Sequence, residues 1–270
     1  MELRRTTDAD FPAMRETFLD ALGGLFRAHA FEPPNRSLDV FANLQRHVRD
    51  TGASYVAVED GAVAGFGSSL TRGRDWFLSS LFISPAAQGR GVGPALLEAV
   101  WGDADRRRTI TDAIQPISNA LYGRRGLIPA TPLLTFTGVP AIDPVPIEES
   151  EADLAAIDEV AYGFDRAVDH VFWSRFARRS TWRDAYSYAF PGGGIGPVAG
   201  LSSRAAAAAL TAELARAERP VQVRIPGSAR DLVEVALAAG LRLAPVPGLL
   251  LLSRGLEAPV ALAPSGYTLY

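Results

Sequence analysis

Leu81-Phe82-Ile83-Ser84-Pro85-Ala86-Ala87-Gln88-Gly89-Arg90-Gly91-Val92-Gly93-Pro94 is the stretch on which the reading of this chain turns. An apolar run ends in Ser-Pro and a glycine-rich loop follows. Leu96, Leu97, Val100 and Trp101 then recur at helical spacing, with Pro94 in the first turn. Strand, glycine loop and helix N-terminus together make an anion site. The first turn of a helix has N–H groups with no acceptor inside the helix and a partial positive charge, and glycine lets the backbone come close to a phosphate. The order predicts a site for a pyrophosphate-bearing cofactor.

The spacing narrows which one. A P-loop needs a lysine after its last glycine, and the chain has no lysine. A dinucleotide fingerprint needs G-x-G-x-x-G, and here Gly93 falls one place early. Gln88-Gly89-Arg90-Gly91-Val92-Gly93 instead fits Q-x-x-G-x-G after a strand ending in Pro. That pattern resembles the coenzyme A loop of the GNAT acyltransferase superfamily. Asn119-Ala120-Leu121-Tyr122-Gly123-Arg124-Arg125-Gly126-Leu127 resembles the family's second motif, a helix with a Tyr four residues before Gly and an apolar residue.

The resemblance implies specific roles. Gln88, Gly89, Arg90, Gly91, Val92 and Gly93 would cradle the pyrophosphate of acetyl-CoA, the cosubstrate. The main chain of Leu81, Phe82 and Ile83 would pair with the pantetheine arm as with an added strand. Tyr122, a phenol protonated at neutral pH, would give a proton or hydrogen bond to the departing thiolate. The family often has Asn seven residues before this Tyr; Gln115 stands there, and Asn119 is the substitute contact to the cofactor. No carboxylate lies in Leu78 to Ile83, where the family often carries its general base. A water chain, Asp75, Glu32 and His29 stay open for that role, as does an acceptor amine that arrives already deprotonated.

Composition sets the frame. The chain has 270 residues with a formal net charge of −3, which argues against nucleic acid or a membrane surface as partner. It has no cysteine, so no thiol nucleophile and no zinc cluster is expected, and His29, His47 and His170 lack metal-ligand spacing. No metal is expected. The N-terminus lacks an apolar signal region, no apolar run approaches bilayer length, and a cytoplasmic protein is expected. Arginine-only, alanine-rich usage points to a bacterium with a GC-rich genome. Arg106-Arg107-Arg108 and Arg178-Arg179 read as solvated helix ends, whereas Arg124-Arg125 lies near enough to the second motif to face cofactor phosphates.

Along the chain, helices are expected over 7–22 and 38–48, with a loop from Leu25 to Pro34 between them. Strands are expected at 54–58, 62–70 and 76–84, with Glu59-Asp60-Gly61 as a hairpin turn. After the loop and its helix come a strand at 109–114, a short helix at 116–125 ended by Gly126, and a strand at 133–137. Pro-rich Val139 to Pro146 reads as a linker, after which the pattern restarts. Helices are expected at 154–160, 171–179, 205–217 and 231–239, and strands at 185–190, 195–201, 221–225 and 249–252. Gly192 to Gly196 reads as a hairpin turn. Tyr122-Gly123-Arg124-Arg125-Gly126-Leu127 aligns with Ala236-Leu237-Ala238-Ala239-Gly240-Leu241.

The fold class expected is α+β: two tandem GNAT-like domains, 1–140 and 141–270, each a mixed, mostly antiparallel sheet flanked by helices. The second is degenerate, with Leu201-Ser202-Ser203-Arg204 where the glycine loop would be and Ala236 in place of Tyr122. The layout is similar to that of mycothiol synthase and other two-domain acetyltransferases. The function expected is acetyl transfer from acetyl-CoA to a primary amine by direct attack in a ternary complex, on a small-molecule or peptide acceptor, by a monomer or homodimer. The alternative is a non-catalytic acetyl-CoA sensor or scaffold with a vestigial site. Leu25 to Pro34 and the residues from Tyr162 to His170 are expected to wall the acceptor pocket.

Overall fold

The computed structural model describes residues 1–33, 35–143 and 148–270. Pro34 and the end of the expected linker, Pro144 to Pro146, lie outside them. The chain divides into two compact units, Met1–Arg107 and Arg108–Tyr270.

The first unit contains β1 (Glu2–Arg5), α1 (Phe11–Ala28), α2 (Leu38–Thr51), β2 (Gly52–Glu59), β3 (Ala62–Arg72), β4 (Asp75–Ile83) and α3 (Val92–Val100). β1, β2, β3 and β4 form an antiparallel sheet in that order. Alternation along the strands sends side chains to two layers. Val56 and Phe66 pack with Phe11, Met14, Phe18 and Phe41 of α1 and α2. Ala57 and Ala64 pack with Val92 and Leu96 of α3. α3 lies close on β3 because Gly65 and Gly67 face it; a Cβ on Gly65 would stand 3.2 Å from Leu96 Cδ1. Asp60 and Gly61 both have positive φ, 50° and 79°, the successive left-handed pair that a tight two-residue hairpin requires. α1 runs to Ala28, so Leu25 to Ala28 is helical and not loop: Phe18 and Leu22 keep its buried face in register past the two glycines.

Next come β5 (Arg106–Asp112), whose first two residues belong to the first unit, α4 (Pro116–Arg124) and β6 (Ile128–Gly138). They are followed by α5 (Leu154–Ala161), α6 (Ala167–Trp173), β7 (Arg178–Trp182), β8 (Ala185–Ala189), β9 (Gly194–Gly200) and α7 (Ser203–Ala215). β10 (Val221–Pro226), α8 (Arg230–Ala238), β11 (Arg242–Leu243), β12 (Gly248–Leu252) and β13 (Leu262–Ala263) complete the chain. The order α1-α2-β2-β3-β4-α3-β5-α4-β6 recurs as α5-α6-β7-β8-β9-α7-β10-α8-β12.

Within the second unit the last strands of the two copies are exchanged. β12 lies between β5 and β6, and β6 lies between β12 and β10, all antiparallel; β10 pairs parallel with β9, and β8 and β7 follow. The division by packing therefore falls at Arg107/Arg108, upstream of the Pro-rich segment where the sequence pattern restarts. α7 is alanine-rich and seats closely: a Cβ on Gly200 would stand 2.5 Å from the amide of Ala206.

Two expectations are corrected here. The helix expected over 171–179 is α6, which ends at Trp173, and Arg178–Trp182 is a strand in hairpin register with Ala185–Ala189. The arginine clusters at 106–108 and 178–179 are in strands, not at solvated helix ends. Arg108 is buried, with its guanidinium over the rings of Phe164 and Tyr270 and a bond to the Tyr162 carbonyl.

Candidate active site

In the first unit, β4 carries a bulge at Ser79: Ser80 faces Ser68 and Leu78 faces Ser69. Beyond it Leu81, Phe82 and Ile83 pair along one edge with Gly67, Phe66 and Gly65. Ser84 closes the strand by donating to the Ala64 carbonyl at 2.9 Å, and a single 3-10 turn over Pro85–Ala87 leads into the loop. The Gln88 side chain reaches back to the Ile83 carbonyl at 3.3 Å, tying the loop to the strand end.

Gly89 and Gly91 have φ of 76° and 83°, which L residues rarely adopt. A Cβ on either would meet nothing within 4 Å. The main chain there is bare to solvent, and its glycines answer to backbone conformation, not to internal crowding. Gly91 is the N-cap of α3, whose first turn directs the Val92 and Gly93 amides out of its end. Arg90 forms an ion pair with Glu59 at the β2–β3 turn, 3.1 Å apart. These residues suit a pyrophosphate: open backbone, helix N-terminus and one arginine. Gln88, Gly89, Arg90, Gly91, Val92 and Gly93 are brought together with Leu81, Phe82 and Ile83 as one continuous surface element.

Asn119 and Tyr122 stand on α4 in the second unit. Gln115 caps that helix, its side chain accepting from the Ile117 amide at 3.3 Å. Asn119 Nδ2 donates to the carbonyls of Asp112 and Ala113, both at 3.4 Å, while its buried Oδ1 lacks a hydrogen-bond partner. Tyr122 is buried, its hydroxyl bonded to Ser118, and burial pushes the phenol well above its usual range. It is thus a proton-bearing group at any physiological pH. Arg124 and Arg125 are exposed at the end of α4.

The residues considered for the base are scattered. Asp75 is buried at the start of β4, the end away from the loop, and pairs with Arg106 at 3.0 Å. His29 is exposed at the end of α1, bonded to the Leu25 carbonyl, and Glu32 is exposed. A carboxylate not singled out from the sequence, Asp112, ends β5, takes a hydrogen bond from Tyr267 and is raised to about 6 by burial. Its signal in the sequence is the one charged residue within 109–114, the stretch expected as a strand.

Tyr162, Phe164, Arg166, Asp169 and His170 do not wall an open pocket; they are buried in the second unit. Arg166 pairs with Asp169 at 2.9 Å and packs over Tyr162 and Trp173. Among the described residues no cluster of His, Cys, Asp and Glu is arranged to hold a metal ion. No described helix is long and apolar enough to cross a membrane.

Residues 13–127 match the model of the acetyltransferase (GNAT) family, which spans the glycine loop and α4 together. Solved structures of similar fold extend over the whole chain. An acetyltransferase, provisionally so assigned, from Pyrococcus horikoshii is 19% identical with a TM-score of 0.79, covering 100% of this chain and 95% of its own. A GCN5-related N-acetyltransferase from Sphaerobacter thermophilus is 16% identical at a TM-score of 0.61, covering 95% of this chain and 97% of its own. A tandem GNAT protein from the clavulanic acid biosynthesis pathway is 15% identical at a TM-score of 0.58, covering 95% and 99%. At these identities the likeness is one of fold, and the tandem GNAT protein shares that fold over nearly the whole of both chains. No curated protein sequence matches the chain.

Proposed function

We propose that this protein transfers an acetyl group from acetyl-CoA to a primary amine by direct attack in a ternary complex. The observation that carries the reading is the glycine loop: two left-handed glycines with open backbone at the N-terminus of α3, tied by Gln88 to the end of a bulged strand. Gln88 through Gly93 would hold the pyrophosphate, the main chain of Leu81–Ile83 would take the pantetheine arm, and Asn119 would add a side-chain contact. Tyr122 would supply the proton to the sulfur as the tetrahedral adduct collapses. A covalent route has no thiol to use, since the chain lacks cysteine. The acceptor class is a small-molecule or peptide amine.

Two measurements test this. Calorimetry should give one acetyl-CoA site per chain. Incubation with acetyl-CoA and a panel of primary amines should release thiol with at least one of them. Failure to bind acetyl-CoA sinks the reading. Binding without transfer to any amine sinks its catalytic part.

A further inference from the structure

The glycine loop is pinned at both ends and bare in the middle. Ala87 before it and Val92 after it are buried, 4% and 1% exposed, and pack with Ala57 and Ala64 of the sheet. Gln88 to Gly91, between them, are exposed. Gly89 and Gly91 are both left-handed, and a Cβ on either meets nothing within 4 Å, so the backbone there does not rest on its surroundings. Glycine also loses more conformational freedom than any other residue when its backbone is fixed. Two side chains tether the span: Gln88 to the Ile83 carbonyl at 3.3 Å, and Arg90 to Glu59 at 3.1 Å. Arg90 stands between the two glycines, so its tether acts on the part of the loop with the most freedom to lose.

Glu59 is a firm post for that tether. It is the last residue of β2, paired with Ala62 across the hairpin, and Asp60 and Gly61 make the tight turn beside it. Its side chain is 16% exposed against 57% for that of Arg90, so the carboxylate is the fixed partner and the guanidinium comes to it. Glu2 and Asp60 line the same depression. A phosphate reaching the guanidinium there would meet three carboxylates around one cation and be repelled by them. The Arg90 side chain is thus engaged by the sheet, and what the loop offers a phosphate is its main chain.

We propose that Glu59 is a positioning residue for the cofactor: through Arg90 it fixes the glycine loop in the conformation that receives the pyrophosphate, and the Arg90 side chain is a strap and not a phosphate ligand. This rests on the N-acetyltransferase reading above, in which the main chain of Gln88–Gly93 forms the cradle. A cradle already ordered takes up its ligand without the entropic cost of ordering two glycines at the moment of binding. The two roles open to Arg90 have opposite signs. If its guanidinium bound the phosphates, removing the Glu59 charge would release it, and acetyl-CoA would bind more tightly. If it is a strap, removing that charge loosens the loop, and acetyl-CoA binds more weakly.

The test uses the full chain and acetyl-CoA, with E59Q, R90Q, the double variant E59Q/R90Q and the charge swap E59R/R90E. In calorimetry E59Q and R90Q should each weaken acetyl-CoA binding about three- to fivefold, the scale of an ion pair at a protein surface. The double variant should bind no more weakly than either single one, because both break the same tether. The swap rebuilds the pair with its polarity reversed and should recover most of the wild-type affinity, which a glutamate in place of a phosphate ligand could not do. Nitrogen-15 relaxation of the Gly89 and Gly91 amides gives a readout without ligand. Their order parameters should fall from about 0.85 in the wild type toward about 0.6 in E59Q and R90Q, and return in the swap. A merely structural pair would lower the melting temperature and leave the affinity and these two amides unmoved. That result, tighter or unchanged binding in E59Q, or additive losses in the double variant would overturn the strap and leave the acetyltransferase reading in place. If the wild type binds no acetyl-CoA, that reading falls and the cofactor role of Glu59 falls with it.

Discussion

The Leu241 amide donates to the Ala236 carbonyl at 3.1 Å, closing α8 with the same bond that Leu127 makes to Tyr122 at the end of α4, also 3.1 Å. Gly126 and Gly240 take the left-handed turn in each, at φ of 83° and 76°. The turn is thus built from main chain and glycine, and it closes equally well around alanine. The phenol of Tyr122 is not a requirement of the fold at that position, which leaves its chemistry free to explain it. Y122F should therefore fold, lose about 1 kcal/mol with the Ser118 bond, bind acetyl-CoA nearly as well as wild type, and turn over about 10²–10⁴-fold more slowly. Single-turnover rates check this, and an unchanged chemical step would remove Tyr122 from the mechanism.

Gly91 separates backbone strain from charge. No atom lies within 4 Å of a Cβ there, so G91A should cost only the left-handed conformation, about 1–2 kcal/mol. G91E adds a carboxylate at the phosphate cradle and should abolish acetyl-CoA binding in calorimetry while denaturing at a temperature close to that of G91A. Retained binding in G91E would move the cofactor elsewhere. Two equivalent sites in the wild type would contradict the asymmetry between the copies.

The interior of the second unit hangs on Asp158. Its carboxylate accepts from the Tyr186 hydroxyl at 2.6 Å and the Arg166 amide at 3.1 Å, and lies 2.9 Å from His170 Nε2, whose other nitrogen meets Tyr188 at 2.9 Å. D158A would leave these groups buried and unpaired. The expected loss is about 3–5 kcal/mol in urea unfolding, with D158N milder because an amide oxygen still accepts. A loss below about 1 kcal/mol would mean that water or a shifted side chain replaces the carboxylate.

Asp112 leaves a mark on folding stability. Its folded-state titration at about 6 lies above the ordinary value near 4. Below pH 4 the group is neutral in both states and costs nothing. From pH 4 to pH 6 the unfolded chain ionises first, so folding stability falls, and above pH 6 the deficit levels off at roughly 3 kcal/mol. D112N cannot ionise, so relative to wild type it should gain stability between pH 4 and pH 7.5. Parallel stability curves for the two proteins over that range would show that the carboxyl is not perturbed.

The strand exchange predicts the fate of a chain cut in the Pro-rich segment. Ending at Asp143 removes β12 from one edge of β6 and β10 from the other. The remaining β6 would expose both rows of backbone groups beside a bare α4. Such a fragment should aggregate or lose the α4 turn, seen as light scattering or missing amide protection for Leu127. A soluble, monomeric, well-protected fragment would show that the exchange is dispensable.

What the amino-acid order determined by itself is local. The Gln88–Gly93 loop, the Asp60-Gly61 hairpin and the Gly126 and Gly240 helix ends all follow from backbone sterics and hydrogen bonds within a few residues, which a single sequence displays. The repeat was legible for the same reason, since each copy writes out its own turn chemistry. Tertiary structure decided everything that depended on partners far along the chain. Arg178–Trp182 became a strand because Ala185–Ala189 turns back to pair with it, and Arg108 went inside because Phe164 and Tyr270 supply rings to cover it. The exchange of β6 and β12 changes no local preference at all, since either strand satisfies its backbone equally with any neighbour of the right direction. The surroundings of Asp112 come from residues 112 and 155 positions later, Arg224 and Tyr267, and a carboxyl's titration is set by what is packed around it, which no window of sequence contains.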